Sequence, residues 1–102
     1  MKRVVITGAG TVNALGMNVP DTLYAMREGI CGIVPLEFRD VERLTIQIGG
    51  QIKGFDAQNA FSRHQISLYD RFTQFALVAA AEAVAQSGLD FTEELADKSG
   101  VI

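Results

Sequence analysis

Closely spaced glycines near the start of the chain are the first feature that could carry chemistry. A β-branched apolar run at residues 3–7 leads into Gly8 and Gly10. This order is typical of the strand and phosphate-binding turn of a dinucleotide-binding βαβ unit. Such a unit needs a third glycine three positions later, where this chain has Asn13. It also needs a helix that begins at the turn itself, whereas the first capping residue here is Asn18.

The second half of the dinucleotide pattern is missing as well. An acidic residue about 20 positions on should end a second strand and bind the ribose. In this chain those positions fall in a predicted helix end and loop. The sequence therefore disfavours a nucleotide site and a nicotinamide oxidoreductase. It predicts that Gly8 and Gly10 allow positive φ or a close backbone approach at the end of a core strand.

Cys31 and His64 are the other two candidates for chemistry, as a nucleophile and as a general base. Cys31 lies just past a predicted helix carboxyl end, where the helix dipole disfavours a thiolate. His64 has no carboxylate at relay spacing, and one cysteine with one histidine is too few for a structural zinc site. We expect Cys31 to be a small packed side chain and His64 to lie at the surface, with no metal site.

Composition excludes several classes of protein. The chain has 102 residues, of which 48% are hydrophobic and 21% charged, which suits a single globular domain. Its net charge is −3 with scattered basic residues, so nucleic acid is not an expected partner. The longest apolar run, residues 75–81, is far shorter than the roughly 18 to 20 residues that span a bilayer. The single cysteine fits a reducing compartment, and we expect a cytoplasmic protein with no membrane partner.

The elements that would position these residues are read from periodicity and capping signals. The run at residues 3–7 predicts a parallel strand buried on both faces. Asn18 as a cap, with Pro20 in the first turn, predicts a helix that ends at Gly29. The alternation at residues 45–48 predicts a second strand at the edge of a sheet.

A long helix is the clearest element in the second half of the chain. The capping-box pattern at residues 67–70 predicts a helix that runs to about Gln86 and stops at Gly88. Its expected buried face is made of Phe72, Ala76, Ala79, Ala80 and Ala83. Its expected wet side carries Gln74, Glu82 and Gln86. A further buried strand is predicted to begin at residues 99–102, so we expect the chain to be the front part of a longer protein.

Several segments of the chain resemble one enzyme family. They are residues 2–10 (KRVVITGAG), 15–16, 26–29, 32–33, 50–56 (GQIKGFD), 69–76 (YDRFTQFA), 79–80, 87–89 and 99–102 (SGVI). In order and spacing they resemble the amino terminus of the β-ketoacyl-acyl-carrier-protein synthases. The resemblance implies an α/β fold, the amino-terminal part of a thiolase-like layered α/β/α/β/α arrangement. Residues 1–102 would be the incomplete amino-terminal segment of its first domain.

The resemblance also implies an activity for the full-length protein. That family performs a decarboxylative Claisen condensation of an acyl group with malonyl-acyl carrier protein, in fatty acid or polyketide synthesis, without a cofactor. Its catalytic cysteine, two histidines and lysine lie downstream of the point at which this chain ends. We therefore expect no catalytic residue in this segment, which alone would be inactive. The alternative is a non-catalytic chain-length-factor-like or assembly unit.

Partners follow from the same resemblance. Acyl carrier protein, malonyl and acyl thioesters, and a homodimer of the full-length protein are expected. The segment before the long helix is basic in bacterial relatives, and here Arg63, His64 and Arg71 would contact the carrier protein. Residues 66–68 (ISL) stand where relatives often have Lys or Arg. This departure favours a specialised branch of the synthase family.

Structural glycines complete the expected set of site residues. Gly16 precedes the first helix at the family's Leu-Gly position. With Gly8 and Gly10 it is expected to shape the backbone rather than to take part in catalysis.

Overall fold

A computed structural model describes all of residues 1–102. The elements in chain order are α1 (Val19–Arg27), β1 (Ile33–Pro35), β2 (Ile48–Gly50), α2 (Arg63–Leu68), α3 (Arg71–Ser87) and α4 (Glu93–Ala96), with 3₁₀ turns at Val41–Arg43 and Ala57–Asn59. Helices dominate, and the only sheet is a ribbon of two short strands.

Local signals set the bounds of α1 as predicted. The side chain of Asn18 accepts a hydrogen bond from the backbone N–H of Asp21 at 2.8 Å, which satisfies one of the unpaired donors of the first turn. Pro20 lies in that turn, where its missing N–H costs nothing. Gly29 follows the last turn at φ 67°, a left-handed conformation that glycine adopts without strain.

The sheet differs from the predicted one. Ile48–Gly50 pairs antiparallel with Ile33–Pro35, in the register Ile33 to Gly50 and Pro35 to Ile48. The predicted strand at residues 45–48 therefore overlaps β2 by one residue, and β1 was not predicted. A strand that contains two glycines carries few side chains to specify its position. The alternation at residues 45–48 therefore predicted the strand too early in the chain.

Helices α2 and α3 replace the single predicted helix. The capping box lies at Ser62 and Gln65, whose side chains and backbone N–H groups bond reciprocally. At the predicted box, Ser67 instead donates its hydroxyl to the carbonyl of His64, and Asp70 makes no side-chain cap bond. The predicted end is confirmed, because α3 stops at Ser87 and Gly88 has φ 66°.

The predicted faces of α3 are wrong in part. Ala79 and Ala83, assigned to the buried face, are half-buried beside Gly10 and Gly8, and Gln86, assigned to the wet side, is exposed. Gln74, assigned to the wet side, is only 4% exposed, whereas Phe72, assigned to the buried face, is 72% exposed. The inner side of the helix faces loop backbone, whose N–H groups need acceptors, so polar side chains are directed inward. Residues 3–7 and 99–102 are in no strand, and Val4 is 96% exposed. A β-strand exists only where a neighbouring strand pairs with it, and no strand lies beside either segment.

The loop at residues 8–16 lies directly on α3. A Cβ atom added to Gly8 would overlap the carbonyl oxygen of Ala83, and one added to Gly10 would overlap that of Ala79. Neither glycine has positive φ, so the absence of a side chain is needed here because it lets the loop approach α3 closely. A Cβ on Gly16 would lie 2.9 Å from both the Cβ of Asp21 and the backbone nitrogen of Thr22.

The chain leaves an unusually large surface exposed. Its accessible area is 8497 Å², whereas a compact protein of this mass exposes about 5,600 Å². Its radius of gyration is 17.1 Å, against about 13 Å for a compact domain of 100 residues. Only Ala25 and Gln74 are buried. Much apolar surface therefore has no cover within these residues.

We predict that Gly10→Ala lowers the free energy of unfolding by about 1–3 kcal/mol, the usual cost of overpacking. The added methyl group would meet the Ala79 carbonyl of α3 and push the loop away from the helix. Gly100→Ala is the matched control, because Gly100 has no atom within 4 Å of the added Cβ and no positive φ. Thermal unfolding of the two variants measures the effect, and equal melting temperatures would contradict it.

Candidate functional site

Two polar side chains of α3 hold the glycine-rich loop. The Oε2 of Glu82 accepts from the N–H of Thr11 at 3.0 Å, and its Oε1 accepts from the N–H of Val19 at 2.7 Å. One helical turn later, the Oε1 of Gln86 accepts from the N–H of Ala9 at 2.7 Å. A single carboxylate thus joins the loop, the first residue of α1 and the long helix. Its negative charge at the amino end of α1 is also favoured by the helix dipole.

Asn13 organises the interior of the loop. Its Nδ2 donates to the hydroxyl oxygens of Thr11 and Thr22, each at 3.0 Å. Its Oδ1 accepts from the N–H of Leu15 at 2.7 Å, and its own N–H donates to the carbonyl of Gly16 at 2.9 Å. The residue that stands where a dinucleotide fingerprint has its third glycine is therefore a hydrogen-bonding hub of the turn.

These contacts explain physically why the loop is unsuited to a phosphate. A dinucleotide turn offers its backbone N–H groups and a helix amino end to the pyrophosphate. Here the N–H groups of Ala9, Thr11 and Val19 already donate to side chains of α3. The Glu82 carboxylate would also repel a second anion at that place.

Cys31 differs from the sequence-based expectation, because its side chain is exposed rather than packed. It belongs to a run of exposed residues, 28–31, that follows the last turn of α1. The Sγ atom donates weakly to the carbonyl of Ile33 at 3.6 Å. That partner is not a base, so the contact does not activate the thiol as a nucleophile.

Arg63 and His64 lie next to each other in the first turn of α2, and both are exposed. No carboxylate lies within 4.0 Å of either side chain, since the three ion pairs of the chain involve other residues. The two side chains therefore face solvent without an internal counter-charge.

Arg71 occupies a different setting at the start of α3. Its guanidinium carbon lies 5.5 Å from the ring centroid of Phe55 and 5.1 Å from that of Phe75. The two rings meet edge to face with centroids 4.9 Å apart. Cation–π attraction thus ties Arg71 to the aromatic pair, whereas the other two predicted carrier-binding residues lie on the preceding helix.

Gln74 is buried, although the sequence predicts it on the wet side of α3. Its Nε2 donates to the carbonyl of Tyr69 at 3.0 Å, and its Oε1 is buried with no hydrogen-bond partner. A buried unpaired acceptor costs about 1–3 kcal/mol. Glu82 and Gln86 share one helical face through their i, i+4 spacing, but a polar pair at this spacing is equally typical of a solvent-exposed face and does not reveal the inner one.

The structure gathers no group of three or more histidine, cysteine, aspartate or glutamate side chains that could hold a metal ion. It also contains no helix with the length and apolar character needed to cross a bilayer.

Comparison with known proteins identifies related sequences along the whole chain. The family model described as "Beta-ketoacyl synthase, N-terminal domain" matches residues 1–102. The chain is 38% identical over 100 residues to 3-oxoacyl-[acyl-carrier-protein] synthase 2 of Staphylococcus aureus strain COL. It is 35% identical over 100 residues to the protein of the same name from Vibrio harveyi. Each alignment covers 98% of this chain and 24% of the relative, so the chain spans about a quarter of the length of these relatives.

We predict that Glu82→Leu destabilises the protein by about 2–4 kcal/mol, because it leaves two backbone donors, those of Thr11 and Val19, without their acceptor. Glu82→Gln keeps one acceptor oxygen at the same position, so its effect should be about half as large. Urea unfolding of both variants tests this order. A Glu82→Leu protein as stable as the unchanged one would show that the hydrogen bonds of Glu82 do not hold the loop.

Proposed function

The chain belongs to the β-ketoacyl synthase family, and from that premise we propose that it is the amino-terminal part of a 3-oxoacyl-acyl-carrier-protein synthase. The observation that carries the proposal is the match to the amino-terminal family domain along all 102 residues, together with relatives that bear the synthase name. The substrates would be an acyl thioester and malonyl-acyl carrier protein, and the protein would act as a cytoplasmic homodimer.

The proposed reaction is a decarboxylative Claisen condensation. The acyl group is first transferred from its thioester to an enzyme nucleophile, which breaks the C–S bond and releases the free thiol. The malonyl thioester then loses CO₂, and the carbanion that remains attacks the acyl carbonyl and displaces the nucleophile. The product is an acyl chain two carbons longer. In this proposal no residue of the chain is the nucleophile, which fits the exposed Cys31 and its contact with a backbone carbonyl.

The role of this chain would be to build the frame on which the catalytic groups stand. The outer face of α3 carries exposed apolar side chains, namely those of Ala76, Leu77, Ala80 and Val84. Helix α3 also contacts the loop at residues 8–16 on its other side. We propose that the rest of a thiolase-like layered α/β/α/β/α fold covers the outer face, which would place α3 in a central layer. The large exposed area of the chain supports this placement.

The docking surface for the carrier protein would be formed by Arg63, His64 and Arg71. The first two lie exposed on α2 without an internal counter-charge, so they could pair with carboxylates of an acidic partner. Arg71, stacked on Phe55 and Phe75, would contribute a positive charge held in one place.

We predict that the 102 residues alone do not catalyse condensation, whereas the longer protein that contains them does. The measurement is release of CO₂ from malonyl-acyl carrier protein in the presence of an acyl primer. The mass of the protein from its source cell, compared with the 11.0 kDa of these residues, gives an independent check. Condensation by the 102-residue chain would overturn the prediction. A longer protein that binds carrier but never condenses would favour the non-catalytic alternative.

We predict that Arg63→Ala combined with His64→Ala raises the KM for carrier-bound malonyl roughly threefold to tenfold, because exposed charges act mainly on the encounter with a charged partner. The effect should fade at high salt as the charges are screened. Arg43→Ala is the control, an exposed arginine on the Val41–Arg43 turn. Steady-state kinetics at two ionic strengths provide the test, and an equal change in both proteins would rule out a docking role for α2.

A further inference from the structure

The junction between α2 and α3 consists of only two residues, Tyr69 and Asp70. Tyr69 has an extended backbone, with φ −101° and ψ 127°, so the direction of α2 does not follow from continuity with α3. A helix of six residues is also too short to be stable without outside contacts. Helix α2 lies beside the Ala57–Asn59 turn, and the contacts of Tyr69 connect its direction to that of α3.

Three contacts hold Tyr69. Its N–H donates to the carbonyl of Gln65 at 2.9 Å, which closes the end of α2. Its ring lies edge-on to that of Phe61, with centroids 5.9 Å apart. Its carbonyl accepts from the Nε2 of Gln74 at 3.0 Å. The last contact is the only one of the three that reaches across to α3.

Gln74 is suited to this contact rather than to simple packing. The residue is 4% exposed, and its Oε1 is buried without a partner. An apolar side chain of similar size would fill the same volume without an unpaired oxygen. The amide has an N–H donor that no apolar side chain has, and this group donates to the carbonyl of Tyr69.

We propose that Gln74 is a positioning residue that fixes the direction of α2 on α3 and so presents Arg63 and His64 in one arrangement to the acidic carrier protein. This inference rests on the proposed function, because it requires that the carrier protein docks at α2. Helix α3 provides a firm support, since Arg71 is stacked on two aromatic rings near Gln74 and Glu82 ties the helix to the loop. Fixing the helix before the partner arrives reduces the ordering cost of binding.

The test compares Gln74→Met with the unchanged protein in the intact synthase. Methionine keeps the length of the side chain and removes the amide. We expect hydrogen exchange of the backbone amides at residues 63–68 to become at least tenfold faster. The Kd for acyl carrier protein and the KM for carrier-bound malonyl should rise about threefold or more. The kcat, and turnover of a small malonyl thioester that lacks the carrier, should stay the same.

Gln58→Met is the matched control, because Gln58 is exposed on the neighbouring 3₁₀ turn and should change none of these values. A second comparison places Gln74→Met in the Arg63→Ala, His64→Ala background. If Gln74 acts through these two residues, the Kd for the carrier should not rise further there. Gln74→Leu serves as a second variant if Gln74→Met does not accumulate as folded protein.

Three results would overturn the inference: unchanged exchange at residues 63–68, an equal loss of activity with carrier-bound and small substrates, or a further rise of Kd in the double background. Failure of the proposed function looks different. A synthase that binds the carrier but does not condense would contradict the function, while the Kd and exchange measurements would still decide the role of Gln74.

Discussion

The arrangement of this chain depends on one carboxylate that accepts two backbone hydrogen bonds from distant segments. Glu82 bonds Thr11 in the glycine-rich loop and Val19 at the start of α1. Those donors would otherwise be unpaired in a partly buried place, where leaving them so is costly. Because the loop passes so close to α3 that Gly8 and Gly10 leave no room for a side chain, main-chain groups rather than apolar side chains meet the helix. The inner face of α3 must therefore offer acceptors.

Helix α3 connects the remaining parts through its other polar and aromatic positions. Gln74 holds the end of α2 through Tyr69, and Arg71 with Phe75 holds the segment that follows β2 through Phe55. Gln74 and Arg71 are polar side chains that a simple reading of amphipathicity would place toward water, whereas the aromatic partners of Arg71, Phe55 and Phe75, are apolar. The helix thus acts as a central support whose specificity comes from hydrogen bonds and cation–π contacts more than from buried apolar area.

The exposed apolar surface of the chain indicates which side of α3 would be covered in a longer protein. A compact chain of this mass would expose about 2,900 Å² less than the 8497 Å² observed here. In the proposed synthase the outer face of α3 would be covered by the rest of the layered fold. The basic residues of α2 would stay at the surface, where an acidic carrier protein can reach them. The same helix would then link the buried frame to the docking surface.

Local chemistry within the sequence determined the N-cap of α1 at Asn18 and the helix ends just before Gly29 and Gly88, because caps and left-handed glycines act over three or four residues. The family was also recognisable, since the order and spacing of short segments can be read directly from the sequence. The tertiary structure alone decided that Gln74 is buried, that Glu82 and Gln86 accept hydrogen bonds from the loop backbone, and that Ile33–Pro35 pairs with Ile48–Gly50. A helix face or a strand is defined by what lies opposite it. For this chain the opposite partner is loop backbone, which leaves no periodic trace in the sequence.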